Sequence, residues 1–521
     1  MSTTVMGKSI FAIGAFLTAS LYNFAAYKKE TPSDVRVHLA VQERTASAED
    51  DRITMLPGLD YDPGFEQFSG YLDVSATRHI FYWYMESQSD PANDPVVLWT
   101  NGGPGCSGLL GMGAEHGPFY ISKSGRLHDN PYSWNKVANM IYFEQPAGVG
   151  FSYCDAAEDY ITGDEQAAAD NYNFIVEFLQ RYPERQTNDF YVSSESYGGH
   201  YIPQMTLEIL RRDIDHFVNF KGFLLGNPYV DPLSNMVTQF EAYYSHGLIA
   251  KPLFDDWSKK CKDSNYWMSR ECDQITTNMF KQFGHGINPY ALDYPVCKKD
   301  AAEYSHLERP VSNRNHRVLK TTKDGHDPMA TATLDISNPS TSSIEVDTLL
   351  NRTNGQNTQS DPQAAFKPCS QEFLENYLDR EEVRDALHVA PSAKPWDVCG
   401  GVRYSKSDVD IPTIGLYQEL IDQAKAGKHD LNMLIYSGDD DSICSTAGTQ
   451  YWLWDLAEAS SIWKAWQAQE QTSGFVTTFD LGDKTNATFT FVTVHGAGHE
   501  VPSYRPVEAL EMFRRFLAHG F

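Results

Sequence analysis

Basic side chains are scarce in this chain of 521 residues. It has 42 Lys and Arg against 69 Asp and Glu, which gives a formal net charge of −27 at pH 7. Such a surface repels phosphate backbones, so nucleic acid is not expected as a partner. An acidic surface also keeps a protein soluble in an acidic compartment, although it is equally compatible with an ordinary soluble protein.

Paired cysteine motifs are missing as well. The chain has eight cysteines and no CxxC pair, so it does not have the spacing of a metal-binding finger, and no metal or other cofactor is expected. In a secreted chain the eight would form up to four disulfides, whereas in the cytosol most would be buried thiols. They are Cys106, Cys154, Cys261, Cys272, Cys297, Cys369, Cys399 and Cys444.

The N-terminal apolar stretch is too short to span a bilayer. It runs from Ile10 to Tyr22, whereas a spanning helix needs about 20 apolar residues. Lys8 precedes the stretch, and the small residues Ala25 and Ala26 follow it. This order predicts a cleaved signal peptide over residues 1–26, with an uncleaved membrane anchor as the alternative.

A secretory route is therefore expected, to a vacuole, to a lysosome-like compartment or to the outside of the cell, without stable membrane insertion after signal cleavage. Two N-x-T sequons, at Asn351 and Asn486, agree with this route and are candidate glycosylation sites. Residues 27–50 are polar and charged, and they are expected to form a short pro-segment or an exposed arm.

The rest of the chain has the material for a large core, since 41% of its residues are apolar and 13% are aromatic. Continuous apolar runs of strand length alternate with helical segments such as Asp164–Arg181, which ends before Pro183. This alternation predicts an α/β fold with a parallel sheet covered by helices. The apolar runs are VVLWT at 96–100, MIYFE at 140–144, FYV at 190–192, FKGFLLG at 220–226, LNMLIYS at 431–437 and FTFVTV at 489–494.

Residues 231–410 interrupt the alternation, so we expect a core made of 51–230 and 411–521 with an inserted cap between them. The polar tract at about 311–365 is poor in aromatic residues and is expected to be a mobile loop that proteases can reach.

A candidate nucleophile follows the third predicted strand. A sharp turn from strand to helix needs small residues two before and two after the nucleophile, and Ser194 and Gly198 flank Ser196 in this way. The pattern is weak by itself. It gains weight because two more loops with suitable side chains, 438–444 and 495–502, follow the last two predicted strands in the order Ser, Asp, His.

A glycine-rich loop, Asn101–Gly108, follows the first predicted strand. Its backbone amides could stabilise the negative charge that develops on an attacked carbonyl. A phosphate-binding loop is the alternative, but the Lys of a P-loop and the spacing of a dinucleotide site are absent from it.

In these motifs the chain resembles the serine carboxypeptidases, the family of carboxypeptidase Y and lysosomal cathepsin A. The resemblance covers Ile53 to the C-terminus and rests on WTNGGPGCSG, AEHGPF, FEQPAGVGFSY, SESYGGHYIP, GDDD and HGAGHEVP, in this order. It implies an α/β-hydrolase fold with a helical cap and release of C-terminal residues through an acyl-enzyme. It also implies Ser196 as nucleophile, Asp441 as the orienting carboxylate and His499 as general base.

The resemblance implies further site residues. The backbone N–H groups of Gly103 and Tyr197 would form the oxyanion hole. The C-terminal carboxylate of the substrate would be held by Trp99, Asn101, Glu115 and Glu195. Two glutamates can face a carboxylate only when they share protons, so peptidase activity is expected to favour acidic pH.

The sequence departs from the family pattern around the nucleophile and after the histidine. Ser194 stands where the family usually has Gly, and Gly198 where it often has Ala. Glu500 stands where many relatives have an apolar side chain; it could attract a basic C-terminal residue or point to solvent. His200 and His495 are interpreted as structural residues.

The resemblance also implies a Cys106–Cys369 disulfide, together with a Cys261–Cys272 disulfide in the cap. The other four cysteines are left unassigned, and Cys444 occupies a position where some relatives have a free buried thiol.

Two alternatives to a carboxypeptidase remain open at this point. The same triad could transfer an acyl group to an alcohol, as in some plant relatives, or the protein could act as a non-catalytic partner that stabilises other hydrolases. The intact set of carboxylate-binding residues favours peptide C-termini as substrate. A homodimer is compatible with the sequence.

Overall fold

The computed structural model describes residues 43–262, 269–283, 286–297 and 366–521. The predicted signal peptide, the polar tract at 311–365 and the sequon at Asn351 lie outside the described residues. Residues 43–50, the end of the predicted arm, are attached to the core. Arg44 donates hydrogen bonds to Glu66, Glu86 and Glu184, and Ala48 is fully buried.

A large mixed sheet forms the centre of the molecule. The strands of the described part of the chain are β1 Gln67–Asp73, β2 Arg78–Met85, β3 Val96–Thr100, β4 Phe119–Ile121, β5 Leu127–Asp129, β6 Asn139–Phe143, β7 Tyr153–Cys154, β8 Ile161–Thr162, β9 Phe190–Glu195, β10 Phe220–Gly226, β11 Arg403–Tyr404, β12 Asn432–Gly438, β13 Lys464–Ala468, β14 Gln471–Thr478 and β15 Thr488–Val494. In the sheet they follow the order β1-β2-β6-β3-β9-β10-β12-β15-β14-β13, and β7 pairs with β2. Two small sheets, β4–β5 and β8–β11, lie apart from it.

The six middle strands are parallel, and the strands on both sides of them are antiparallel. These six are the strands that the apolar runs predict, and their bounds agree with the prediction for β3 and β10. Alternate residues enter two separate apolar cores, for example Leu98 in one and Val97 and Trp99 in the other. A strand buried on both faces has no polar alternation, which explains the continuous runs.

Helices cover both faces of the sheet. They are α1 Ala46–Asp50, α2 Asp164–Arg181, α3 Gly198–Arg212, α4 Pro232–Ser245, α5 Lys251–Lys260, α6 Arg270–Phe283, α7 Ser370–Leu378, α8 Glu381–Ala386, α9 Lys406–Asp410, α10 Ile414–Lys425, α11 Thr446–Leu456, α12 Val501–Tyr504 and α13 Pro506–Leu517. Helix α2 has the predicted bounds, and a 3₁₀ turn begins at Pro183. Among the residues that the structure describes, no helix is both long and apolar enough to cross a membrane.

The stretch between β10 and β12 contains helices α4 to α6, which enclose a small core of their own around Phe240 and Trp257. The Cys261–Cys272 disulfide lies in this core.

The predicted Cys106–Cys369 disulfide is wrong. Cys106 is bonded to Cys399, and Cys369 is bonded to Cys297. The reason is a short backbone ladder between the glycine-rich loop and residues 398–400. Ser107 N donates to Val398 O at 2.7 Å and Gly400 N donates to Gly105 O at 2.9 Å, which places Cys399 opposite Cys106.

Candidate active site

Five of the six parallel strands lead into the candidate site. Because they are parallel, their carboxyl ends lie at one edge of the sheet. Asn101 follows β3, Ser196 follows β9, Asn227 follows β10, and Asp441 and His499 lie in the loops after β12 and β15. The topology thus brings together side chains that are hundreds of residues apart in sequence.

Ser196 lies at the turn between β9 and α3. Its φ of 58° is in the left-handed region, which is costly for a residue with a side chain. The turn is held from both sides, since Ser196 N donates to Gly226 O at 3.0 Å and Tyr229 N donates to Ser196 O at 2.8 Å. Ser196 is partly exposed, whereas the flanking Glu195 and Tyr197 are buried. The turn therefore presents the serine hydroxyl to the surface of the site.

His499 and Asp441 form a buried pair. Nδ1 of His499 lies 2.6 Å from Oδ2 of Asp441. Burial opposes charge on the imidazole, but Asp441, Glu500 and Glu115 favour it, and together they raise the pKa of His499 to about 9. Because Nδ1 is bonded to Asp441, Nε2 is the nitrogen that can accept a proton from serine.

The other two acids of the GDDD motif face elsewhere. Asp439 pairs with the exposed His495, whose Nδ1 lies 2.7 Å from Oδ2. Asp440 accepts a hydrogen bond from Asp293 N at 3.0 Å. Only Asp441 is in contact with His499 among the three.

Asn227 contacts Asp441 and is absent from the sequence prediction. Its Nδ2 donates to Asp441 Oδ2 at 2.9 Å, and its Oδ1 accepts from Gly438 N at 2.9 Å. Its φ of 37° is one that Asn tolerates better than most residues. The sequence feature that could have identified Asn227 is its position as a polar residue directly after the FKGFLLG strand. This position is at the same sheet edge as the other site residues.

A segment of the insertion, Asn288–Tyr294, packs against the loops that carry the pair. His499 N donates to Tyr290 O at 2.7 Å, and the two rings meet edge-on at 5.2 Å. On the other loop, Ser442 N donates to Pro289 O at 3.2 Å. Both loops are therefore held by one short segment.

Cys444 lies beside the serine. It is a free buried cysteine, and its thiol is hydrogen-bonded to Ser196. Burial and the charges of Asp441 and Glu195 raise the pKa of the thiol well above its usual range, so it stays protonated.

The glycine-rich loop lies against the serine turn. A Cβ atom on Gly102 would collide with Tyr197 N and would lie 2.6 Å from Glu195 O, so only glycine allows this approach. Gly103 follows with a φ of 114°. Within the described part of the chain, the backbone N–H groups of Gly103 and Tyr197 donate no hydrogen bond, so both can serve an oxyanion.

Asn101 connects the two glutamates named from the sequence. Its Nδ2 donates to Glu115 Oε1 at 2.8 Å and to Glu195 Oε1 at 2.9 Å. Its Oδ1 accepts from Trp99 Nε1 and from Gly111 N, both at 3.0 Å. The two donors to Oδ1 fix the orientation of the amide, and its nitrogen therefore faces the carboxyl groups.

The two glutamates are buried and joined by a hydrogen bond. Burial foremost, and then the charge of Glu500, raise the pKa of Glu115 to about 8. Burial and the charge of Glu115 raise the pKa of Glu195 well above its usual range. The pair therefore holds protons at neutral pH, because two adjacent buried carboxylates would repel each other.

Glu500 is half-buried and belongs to the same group of carboxyls. Its charge acts on Glu115, Glu195 and His499, and Tyr504 donates to its Oε2 at 3.2 Å. Burial also raises its own pKa. The backbone right after His499 turns into α12, which directs residue 500 inward.

The remaining sequence candidates lie outside this constellation. His200 is buried in α3 with Nδ1 3.0 Å from Asp164 Oδ2, and His495 is exposed. Asn486 is exposed in the loop before β15, where its side chain donates to Asp430 at 3.3 Å.

Comparisons with known proteins agree with this geometry. The family model described as serine carboxypeptidase matches residues 57–519. The chain belongs to the serine carboxypeptidase family. This membership makes it a peptidase of the hydrolase class.

Relatives in this family match along most of their length. Serine carboxypeptidase-like 26 of Arabidopsis thaliana is 34% identical over 481 residues, which cover 90% of this chain and 93% of the relative. The lysosomal protective protein of Mus musculus is 33% identical over 488 residues, which cover 91% and 94%.

A solved carboxypeptidase structure shares the fold. It is that of Kex1(delta)p, a prohormone-processing carboxypeptidase from Saccharomyces cerevisiae. It matches with a TM-score of 0.64 and 19% identity over 91% of this chain and 96% of that one. The predicted α/β-hydrolase fold is confirmed.

Proposed function

We propose that the protein is a serine-type carboxypeptidase that releases C-terminal residues from peptides and proteins through an acyl-enzyme. One observation carries the proposal. The hydrogen-bonded set of Asn101, Glu115 and Glu195 lies beside the serine turn, since Glu195 directly precedes Ser196. A site that binds a free carboxylate one residue from the nucleophile selects the last peptide bond of a chain.

The carboxylate-binding set acts first. The protonated carboxyls of Glu115 and Glu195 donate hydrogen bonds to the substrate carboxylate, and Asn101 holds the two carboxyls side by side through the two N–H bonds of its amide. Apart from the hydrogen bond that joins the two glutamates, Glu115 Oε2 and Glu195 Oε2 are buried without a partner in the described part of the chain, which leaves them available for this contact. Trp99 holds the amide of Asn101 in place.

Acylation follows from the triad geometry. Ser196 Oγ attacks the carbonyl carbon of the last peptide bond while its proton passes to Nε2 of His499, and Asp441 stabilises the imidazolium that forms. The N–H groups of Gly103 and Tyr197 bind the oxyanion. The C–N bond then breaks, and the proton moves from His499 to the nitrogen of the departing residue.

Deacylation repeats the same transfers with water. Water gives a proton to His499 and attacks the acyl carbon, and the bond to Ser196 Oγ breaks as the serine regains its proton. The second product leaves with a new C-terminal carboxylate.

The protons on the glutamates serve both binding and catalysis. A protonated Glu115 donates a hydrogen bond to the substrate carboxylate, and it no longer raises the pKa of His499 through its charge. The same proton therefore favours the neutral imidazole that a general base requires. We expect peptide binding to persist in acidic solution.

Glu500 is proposed to set a preference for basic C-terminal residues, because its carboxyl lies in the same group as those that hold the substrate carboxylate.

We also propose a secretory, vacuolar or lysosome-like location. Three disulfides support it, since they persist in oxidising compartments.

The function is tested with a blocked dipeptide that has a free C-terminal carboxylate and with its amide-capped twin, from about pH 4 to about pH 9. Ser196→Ala is the control. Selective cleavage of the free acid by the wild type only is the expected result. Equal cleavage of both substrates, or turnover by Ser196→Ala above about one thousandth of wild type, contradicts the proposal.

A further inference from the structure

Asp164 is a buried acid that the proposed mechanism does not use. It is the first residue of α2, and its side chain is 8% exposed. Burial would raise its pKa, but hydrogen bonds from His200 and Tyr404 hold the pKa below the usual value, so the group is ionised. An ionised carboxylate in the protein interior needs several hydrogen-bond donors. Each donor therefore connects the carboxylate to another part of the fold.

Four side chains donate to this carboxylate. Tyr404 OH and Tyr197 OH donate to Oδ1 at 2.6 and 3.1 Å. On Oδ2, Gln204 Nε2 donates at 2.7 Å and His200 Nδ1 lies at 3.0 Å. Three of the four belong to the serine turn and the first two turns of α3, and Tyr197 follows the nucleophile directly.

The fourth donor, Tyr404, belongs to a segment tied to the other side of the oxyanion hole. Residues 398–400 pair with the glycine-rich loop, and Cys399 is bonded to Cys106 in that loop. Four residues later, β11 pairs with β8, which ends two residues before Asp164. The strap formed by residues 398–404 therefore runs from the glycine-rich loop to the Asp164 carboxylate.

A second connection runs through Tyr201. Its hydroxyl accepts a hydrogen bond from Gly105 N at 3.0 Å, and a side-chain hydrogen bond joins it to Tyr404. The glycine-rich loop is thus linked to the Asp164 group both covalently and through hydrogen bonds.

We infer that Asp164 and Tyr404 are positioning residues that hold the two oxyanion donors, Gly103 N–H and Tyr197 N–H, at the spacing that the transition state requires. The inference rests on the proposed function of these two amides. Oxyanion stabilisation depends on donor placement, and a displacement of about 1 Å at a reacting centre costs about 100-fold in rate. Loss of one tyrosine hydroxyl that donates to Asp164 should loosen one side of the oxyanion hole. The contacts that bind the substrate in the ground state should stay in place.

Two isosteric variants test this. Tyr404→Phe and Tyr197→Phe each remove one tyrosine hydroxyl that donates a hydrogen bond to Asp164 Oδ1. Tyr197→Phe keeps the backbone N–H of the oxyanion hole. Tyr82→Phe is the matched control, because its buried hydroxyl also donates to a carboxylate, that of Asp51, but it lies in β2, three strands from β9 in the sheet.

The measurements separate the transition state from the ground state. We expect kcat for the free-acid dipeptide to fall about tenfold in Tyr404→Phe and Tyr197→Phe, and the affinity for a peptidyl aldehyde, which forms a tetrahedral oxyanion, to fall by a similar factor. Peptide Kd, measured in the Ser196→Ala background, should stay within about twofold, as should all values for Tyr82→Phe. Unchanged kcat and aldehyde affinity, or equal losses in peptide Kd, overturn the inference.

A nitrophenyl acetate assay distinguishes this inference from the proposed function. The ester needs the triad and the oxyanion hole but has no C-terminal carboxylate. Slower ester hydrolysis in Tyr404→Phe and Tyr197→Phe, but not in Tyr82→Phe, supports the positioning role even if peptides are not cleaved. Normal ester hydrolysis by both variants overturns it even if the carboxypeptidase activity is established.

Discussion

Ser194 and Gly198 compete for the same space on the inner side of the serine turn. A Cβ atom on Gly198 would collide with Oγ of Ser194 and would lie 2.5 Å from its Cβ. In the serine carboxypeptidase pattern that the sequence resembles, position 194 is usually Gly and position 198 is often Ala. This chain has the larger residue at 194 and the smaller one at 198, so the two departures compensate for each other.

The compensation predicts a strong interaction between the two positions. Gly198→Ala should lower the free energy of unfolding by about 1–3 kcal/mol, the usual cost of overpacking, and should reduce activity because the turn must shift. The double variant Ser194→Gly/Gly198→Ala should recover most of both losses. Denaturant unfolding and kcat of the three variants form a double-mutant cycle, and purely additive effects contradict this account.

The carboxylate-binding glutamates predict a pH limit on substrate binding. Their pKa values are raised, about 8 for Glu115, so the binding form is complete at lower pH and is lost as the pH rises through that value. KM for the free-acid dipeptide should be level up to about pH 8 and should increase above it.

The variant Glu115→Gln/Glu195→Gln checks the cause of that limit, since two amides do not titrate. Its KM should be independent of pH in the same range. The matched Glu208→Gln variant should keep the wild-type profile, since Glu208 pairs with Arg211 and Arg212 of α3. An unchanged KM profile in the double Gln variant would remove this explanation of carboxylate binding.

Asn227 is predicted to support the Asp441–His499 pair. Asn227→Ala removes a hydrogen bond to a buried carboxylate, which is worth about 1.5–3 kcal/mol, and leaves alanine at a positive φ. We expect kcat to fall at least about tenfold with little change in KM. Asn219→Ala, at a half-buried asparagine directly before β10, is the control; an equal effect of both would assign the loss to general destabilisation.

Glu500→Gln tests the proposed preference for basic C-terminal residues. The ratio of kcat/KM for a C-terminal Arg over a C-terminal Leu should fall about three- to tenfold, because a negative charge near the departing residue is removed. The KM rise described above should also begin at lower pH, since the charge of Glu500 is one cause of the raised pKa of Glu115. A constant Arg-to-Leu ratio would show that residue 500 does not contact this side chain.

The parallel part of the sheet could be predicted because burial on both faces leaves uninterrupted apolar runs, as in β3 and β10. The antiparallel hairpin β13–β14 could not, since exposed residues such as Phe475 interrupt its pattern and its place at the sheet edge depends on tertiary packing. The order of Ser196, Asp441 and His499 was visible because each follows a predicted strand.

Contacts between residues on loops that are distant in sequence could not be predicted from the sequence. The Cys106–Cys399 disulfide depends on a backbone ladder that no spacing reveals, and six bonded cysteines allow 15 connectivities. The inward direction of Glu500 depends on the turn into α12. Asn227 had a visible signal, a polar residue at a strand end, but its role appears only when β10 and β12 are seen side by side.

The segment Asn288–Tyr294 limits how this fold can be re-engineered. It belongs to the insertion between β10 and β12, yet it accepts a hydrogen bond from the backbone of His499 and another from Ser442. A chimaera that replaces the entire insertion would therefore also remove the support of the triad loops. Grafts of a new substrate-recognition cap should keep these seven residues and place their junctions outside them.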